Sequence, residues 1–162
     1  MDDETLTAYH EAGHAVIGYV LGGRIESVGL YAEADDWLPE RFGDCLVNWG
    51  RVDVHANWQI QRELLTILAG PVAEMICRQE RLHPATYPAW QHDWKSAWQR
   101  CERLIADPRR RTEFLEMMIV WLHRRMSDDQ CWAAVAAVSD QLLAHENLEG
   151  EQLAETLEFW VA

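Results

Sequence analysis

The chain has 162 residues, 49% of them apolar and nine of them Trp, with a formal charge of −13. That length suits one domain over residues 1–162, and that composition argues against disorder. An acidic surface repels phosphate, which excludes nucleic acid and anionic membranes as expected partners.

The opening "MDDETLT" has neither the basic start nor the apolar run of a signal peptide. Apolar stretches such as "FLEMMIVWL" are far shorter than a bilayer requires. A cytoplasmic protein is expected. Cys45, Cys77, Cys101 and Cys131 form no CxxC pair, so reduced core thiols are expected in preference to disulfides or a metal knuckle.

A first helix is expected from about Asp3 to Leu21, with Leu6, Val16, Ile17 and Val20 at helical spacing and Gly22-Gly23 as its stop. Two short strands follow, "RIESVGLY" and "GDCLVNWG", the second placing Cys45, Val47 and Trp49 on one face. The polar loop "AEADDWLPERF" separates them. Ile60, Leu64, Ile67, Leu68, Val72 and Met75 mark a long helix, in which Gly70-Pro71 predicts a kink or a break. After the loop "HPATYP" come three helical stripes. The first holds Trp90, Trp94, Ala97, Cys101 and Leu104. The second holds Phe114, Leu115, Met118, Ile119 and Leu122. The third holds Trp132, Val135, Ala136, Ser139, Leu142 and Leu143. A short last helix is expected over 150–160. "DPRRRTE" reads as the solvated start of a helix. The fold class is mainly α (α+β), a helical domain with a small sheet or hairpin near the first helix.

The chemistry lies in that first helix, at His10-Glu11-Ala12-Gly13-His14. Residues i and i+4 share a helix face, so two imidazoles at this spacing can hold one zinc ion. The glutamate beside the first histidine can then act on a metal-bound water. Ala12 and Gly13 are small enough for a second element to approach closely. Catalytic zinc needs a third protein ligand. The metzincin pattern would put a glycine and a histidine at positions held by Ile17 and Val20, which excludes that class. Glu74 on a later helix is one candidate ligand, and the pair His92-Asp93 is another. His55, His83, His123 and His145 have no second ligand at useful spacing.

"AYHEAGHAVIGYVLG" resembles the metal helix of the FtsH-like zinc metallopeptidases, the membrane-bound AAA proteases. "LLTILAGPVAEMI" resembles that family's Gly-Gly-Arg-x-Ala-Glu block through Ala73 and Glu74, with departures at Ala69 and Pro71. "HDWKSAW" resembles its Asp-Leu-x-x-Ala-Thr block through Asp93 and Ala97, with Trp94 and Trp98 replacing the leucine and threonine. The tail from Trp132 resembles the family's last helices. The resemblance covers most of the chain, and its blocks come in the family's order. It implies one zinc ion per chain held by His10, His14 and Asp93, with Glu11 as general base. It also implies that Glu74 is a supporting carboxylate near the site, not a ligand, and leaves His92 as an alternative.

The expected activity is a zinc-dependent, zincin-type endopeptidase cleaving peptides or unfolded or loosely folded proteins. The alternative is a zinc-containing, non-catalytic binding module of the same fold. A further rival is a metal-free domain in which His10 and His14 are core residues. Substrate is expected to lie beside an edge strand formed by Ser27, Val28, Gly29, Leu30 and Tyr31. The chain contains no GxxxxGK stretch, so a separate ATPase is a conceivable partner. Oligomeric state is not derivable from the sequence.

Overall fold

The computed structural model describes residues 1–31 and 44–161. The expected polar loop between the first two strands lies outside the described residues. The fold is predominantly helical with a three-stranded antiparallel sheet. In chain order the elements are α1 (Asp3–Val20), β1 (Arg24–Gly29), β2 (Asp44–Asn48) and α2 (Asn57–Arg78). A 3-10 turn (Pro88–Trp90) leads into α3 (Gln91–Cys101). Then follow α4 (Pro108–Met126), α5 (Asp129–His145), β3 (Asn147–Glu149) and α6 (Gly150–Val161).

Local signals set the ends of α1. The Asp2 side chain accepts from the Thr5 N–H at 2.8 Å, and Asp3 and Glu4 lie in the positive first turn. At the other end Gly22 takes φ +97, and the N–H groups of Gly22 and Gly23 donate to the carbonyls of Tyr19 and Gly18. This is the paired bonding of a Schellman cap, and its left-handed position calls for glycine. The inward face of α1, including Leu6, Ala8, Ala12, Val16 and Ile17, is buried.

Across it lies α2, which runs unbroken through Gly70 and Pro71. Of the kink or break expected at the proline, the break does not occur. Pro71 has no N–H to give the Ile67 carbonyl, but buried side chains flank it on both sides: Leu64, Leu68 and Ala69 before, Val72, Ala73 and Met75 after. Packing of both halves into one core holds the helix together against its local propensity. The two helices approach closely at Gly13. A β-carbon there would stand 2.6 Å from the Ala69 carbonyl oxygen and 2.7 Å from Ala73 Cβ.

The sheet order is β2-β1-β3, so β1 is the central strand. Its register pairs Val28 with Cys45 of β2 and with Leu148 of β3, and a bulge falls between Ile25 and Ser27. This corrects the expectation of a free edge at Ser27, Val28, Gly29, Leu30 and Tyr31. Ser27 to Gly29 are paired on both sides, and the Leu30 N–H donates to the Glu146 carbonyl. Tyr31 is exposed and its hydroxyl donates to Glu4. The cause is β3, a three-residue strand too short to show alternation in sequence.

Two smaller expectations also change. Cys101 and Cys131 are buried core thiols, but Cys45 and Cys77 are partly exposed. Within "DPRRRTE", Arg111 is buried: it donates to the carbonyls of Ile105 and Ala106 and lies 4.5 Å over the Trp98 ring. Among the described residues, no helix is long and apolar enough to cross a membrane.

Replacing Gly13 by leucine forces a branched side chain into backbone contact. Gly13→Leu is expected to cost at least about 3 kcal/mol, on the order of 10 °C in melting temperature for a domain of this size. Thermal unfolding followed by circular dichroism checks this, and a wild-type melt would contradict the close approach.

Candidate metal centre

The site is built from three helices. α1 supplies His10, Glu11 and His14, which are buried or nearly so. Their ligand atoms lie within 4.8 Å of one another, a cluster able to hold a metal ion. α2 supplies what stands behind the imidazoles. His10 Nδ1 is 2.6 Å from Glu74 Oε2, and His14 Nδ1 is 2.8 Å from the Thr66 carbonyl oxygen. A carbonyl can only accept, so His14 Nδ1 carries its proton, and its Nε2 is left with a lone pair in the neutral ring.

α3 closes the site from the front. Asp93 Oδ2 lies 2.7 Å from His10 Nε2 and 3.4 Å from His14 Nε2. Asp93 and Glu74 therefore occupy opposite sides of His10. His92, one residue earlier on α3, is exposed; a step of one residue turns it about 100° away from Asp93.

The donor set fits zinc. Two nitrogen or oxygen ligands at about 2.0–2.1 Å from a tetrahedral ion stand about 3.3 Å apart. The His14–Asp93 separation already has that value, and the His10–Asp93 pair would open by about 0.6 Å. A carboxylate or carbonyl behind each imidazole is the usual outer shell of a zinc histidine, because it fixes the tautomer and ring orientation.

Gly70 makes room for this arrangement. A β-carbon there would lie 2.6 Å from His10 Nε2 and would also collide with His14 Nε2. The sequence offered Gly70 only as a helix interruption; its place opposite His10 and His14 is a tertiary fact. Two further contributors were not visible either. The Thr66 carbonyl has no side-chain signature. Trp90, assigned to a core stripe, is indeed fully buried, but its Nε1–H donates to Glu74 Oε2 at 2.6 Å. A buried indole N–H needs a partner, and that requirement was the one available hint.

Burial disfavours charge on both Asp93 and His14, and their mutual attraction outweighs it. The Asp93 carboxyl is held well below its ordinary value of 3.8 by His14 and His10, while His14 is raised above 6.5 by Asp93.

The His-Glu-x-x-His arrangement is typical of zincin-type metallopeptidases. No family model and no curated protein matches the chain, so the functional reading rests on the chemistry of the site.

Two measurements follow from this geometry. Gly70→Ala adds a good helix former but places a methyl group against both Nε2 atoms. Helix content is expected to persist while zinc affinity, read by chelator competition, falls by about 100-fold or more. In the metal-free protein, the raised His14 contributes stability below about pH 6.5 that is lost as pH rises through its folded value. The depressed Asp93 contributes stability above about pH 3.8 that is lost as pH falls. Melting temperature should therefore gain most from this pair between those limits, and Asp93→Asn should flatten both slopes.

Proposed function

We propose that the chain is a zinc-dependent endopeptidase of the FtsH-like type, holding one zinc ion through His10, His14 and Asp93. One observation carries the reading. Two imidazoles four residues apart turn Nε2 toward a shared carboxylate while their Nδ1 atoms are bonded from behind, and a glutamate sits beside the first. The FtsH-like assignment is supported by Glu74 behind His10 and Asp93 in front of it, the roles that the resemblance implies.

When bound, zinc supplies a Lewis acid that polarises the scissile carbonyl and brings the pKa of its water to about 7. Glu11 accepts the proton of the attacking water on its carboxylate and hands it to the leaving amide nitrogen. Glu74 and the Thr66 carbonyl hold the imidazoles in orientation throughout. Asp93 remains ionised, as its depressed pKa requires.

Substrates in this reading are peptides and unfolded or loosely folded chains. The His10, His14 and Asp93 side chains are only 11%, 13% and 18% exposed. Side chains so recessed are reached more readily by an extended backbone than by a folded surface. A separate ATPase would be needed to deliver folded proteins. In this reading the chain works in a reducing compartment such as the cytoplasm, where the buried Cys101 and Cys131 stay thiols.

Degradation of casein by the zinc-loaded protein tests the proposal against Glu11→Gln prepared identically. Loss of the base is expected to lower the rate by about 100-fold or more with zinc content unchanged. Cleavage by neither protein, with zinc bound to both, would replace this reading with the non-catalytic binding module.

A further inference from the structure

One oxygen atom joins two parts of the site. Glu74 is fully buried, and its Oε2 stands 2.6 Å from His10 Nδ1 and 2.6 Å from Trp90 Nε1. An indole nitrogen has a hydrogen to give and no lone pair to offer. Oε2 therefore accepts from Trp90, and the same oxygen is turned to the back of His10. The indole adds a tie on that oxygen, beside the one to His10, against rotation of the carboxylate about its last torsion, which is broad by itself.

Trp90 also governs the front of the site. It ends the 3-10 turn Pro88–Trp90, and Asp93 follows three residues later in α3. Residues at that spacing share a helix face. The bond from Trp90 to Glu74 thus ties the start of α3 to α2, beside the approach of Asp93 Oδ2 to both imidazoles. The indole is itself held. The Tyr87 ring lies 4.3 Å from it, and Arg78 donates to the Tyr87 hydroxyl at 2.8 Å.

We infer that Trp90 is a positioning residue for the metal centre, acting through Glu74 to orient His10 from behind and to set Asp93 in front. The inference rests on the zinc reading above. It assigns Trp90 a role that its place in an apolar stripe does not announce.

The test is zinc affinity of the purified full chain, by chelator competition, in a double-mutant cycle. Trp90→Phe keeps a six-membered aromatic ring and deletes the N–H with the five-membered ring that carries it. It is expected to weaken zinc binding by about 10-fold, and Glu74→Ala by about 10- to 100-fold. The double variant is expected to lose no more than Glu74→Ala alone, because the indole then has no carboxylate to hold. Trp94→Phe, a change in the same stripe at a residue 9% exposed, is the control and should bind zinc as wild type does. Melts of the metal-free variants show whether each one folds. Wild-type zinc affinity in folded Trp90→Phe would overturn the inference, as would losses that simply multiply in the double variant. A Trp90→Phe chain that does not fold transfers the test to Tyr87→Phe, which removes the hydroxyl bonded by Arg78. A loss of affinity there of about 2-fold or more supports the relay, and none overturns it. Absence of zinc binding in wild type would instead sink the metal reading itself.

Discussion

The site depends on the contact between α1 and α2, where a glycine on each helix permits a close approach. Gly13 brings α1 down onto the Ala69 carbonyl and Ala73, while Gly70 clears the space beside the imidazoles. His10 and His14 can then lie against α2, close enough for a carboxylate and a backbone carbonyl to reach Nδ1. The pairs His10–Glu74 and His14–Thr66 run in opposite senses along the two helices, so the helices cross antiparallel at the site. Any side chain that separated them would lengthen both bonds together. Packing and metal chemistry are one constraint here.

That constraint explains the irregular composition of α2. Glycine and proline in a helix interior cost about 1 and 3 kcal/mol in propensity. Gly70 is required by the imidazoles opposite. Pro71 follows it within a stretch so buried that the helix has no alternative path. Glu74 adds a fully buried carboxylate, a group that costs several kcal/mol to remove from water unless well bonded. Its bonds to His10 and Trp90 offset part of that cost. Local rules are broken most densely next to the cluster that carries the chemistry, as expected of functional sites.

Periodicity and capping made α1 legible in the sequence, together with the helical stripes that follow and the two longer strands. The His-Glu-x-x-His spacing identified the helix of the candidate metal site, and the small residues within it anticipated the close neighbour at Gly13. Spacing alone left Glu74 and Asp93 as rival ligands, because it does not say which side of an imidazole a distant carboxylate reaches. What stayed hidden was tertiary in origin. Continuity of α2 through Pro71 is decided by burial on both sides, against the local preference. The strand β3 is three residues long, so it carries no alternation, and with it went the evidence that β1 lies inside the sheet. Arg111 sits within a basic run, yet carbonyls and the Trp98 ring capture it.

The position of Asp93 gives the site a consequence for the fold as a whole. His10, Glu11 and His14 come from one helix, so their mutual placement is local. Asp93 arrives on α3, a helix that packs on α2 and α4. It reaches α1 through the two imidazoles. Without metal, that joint is held by attraction between a depressed carboxylate and a raised histidine. In the proposed zinc-bound state a proton would have to leave before the ion took its place, since ligand imidazoles are neutral. Ion and proton would then compete for the same contact between α1 and α3. Because the unfolded chain brings His10, His14 and Asp93 together only rarely, an ion held by them as proposed would add to the stability of the folded state.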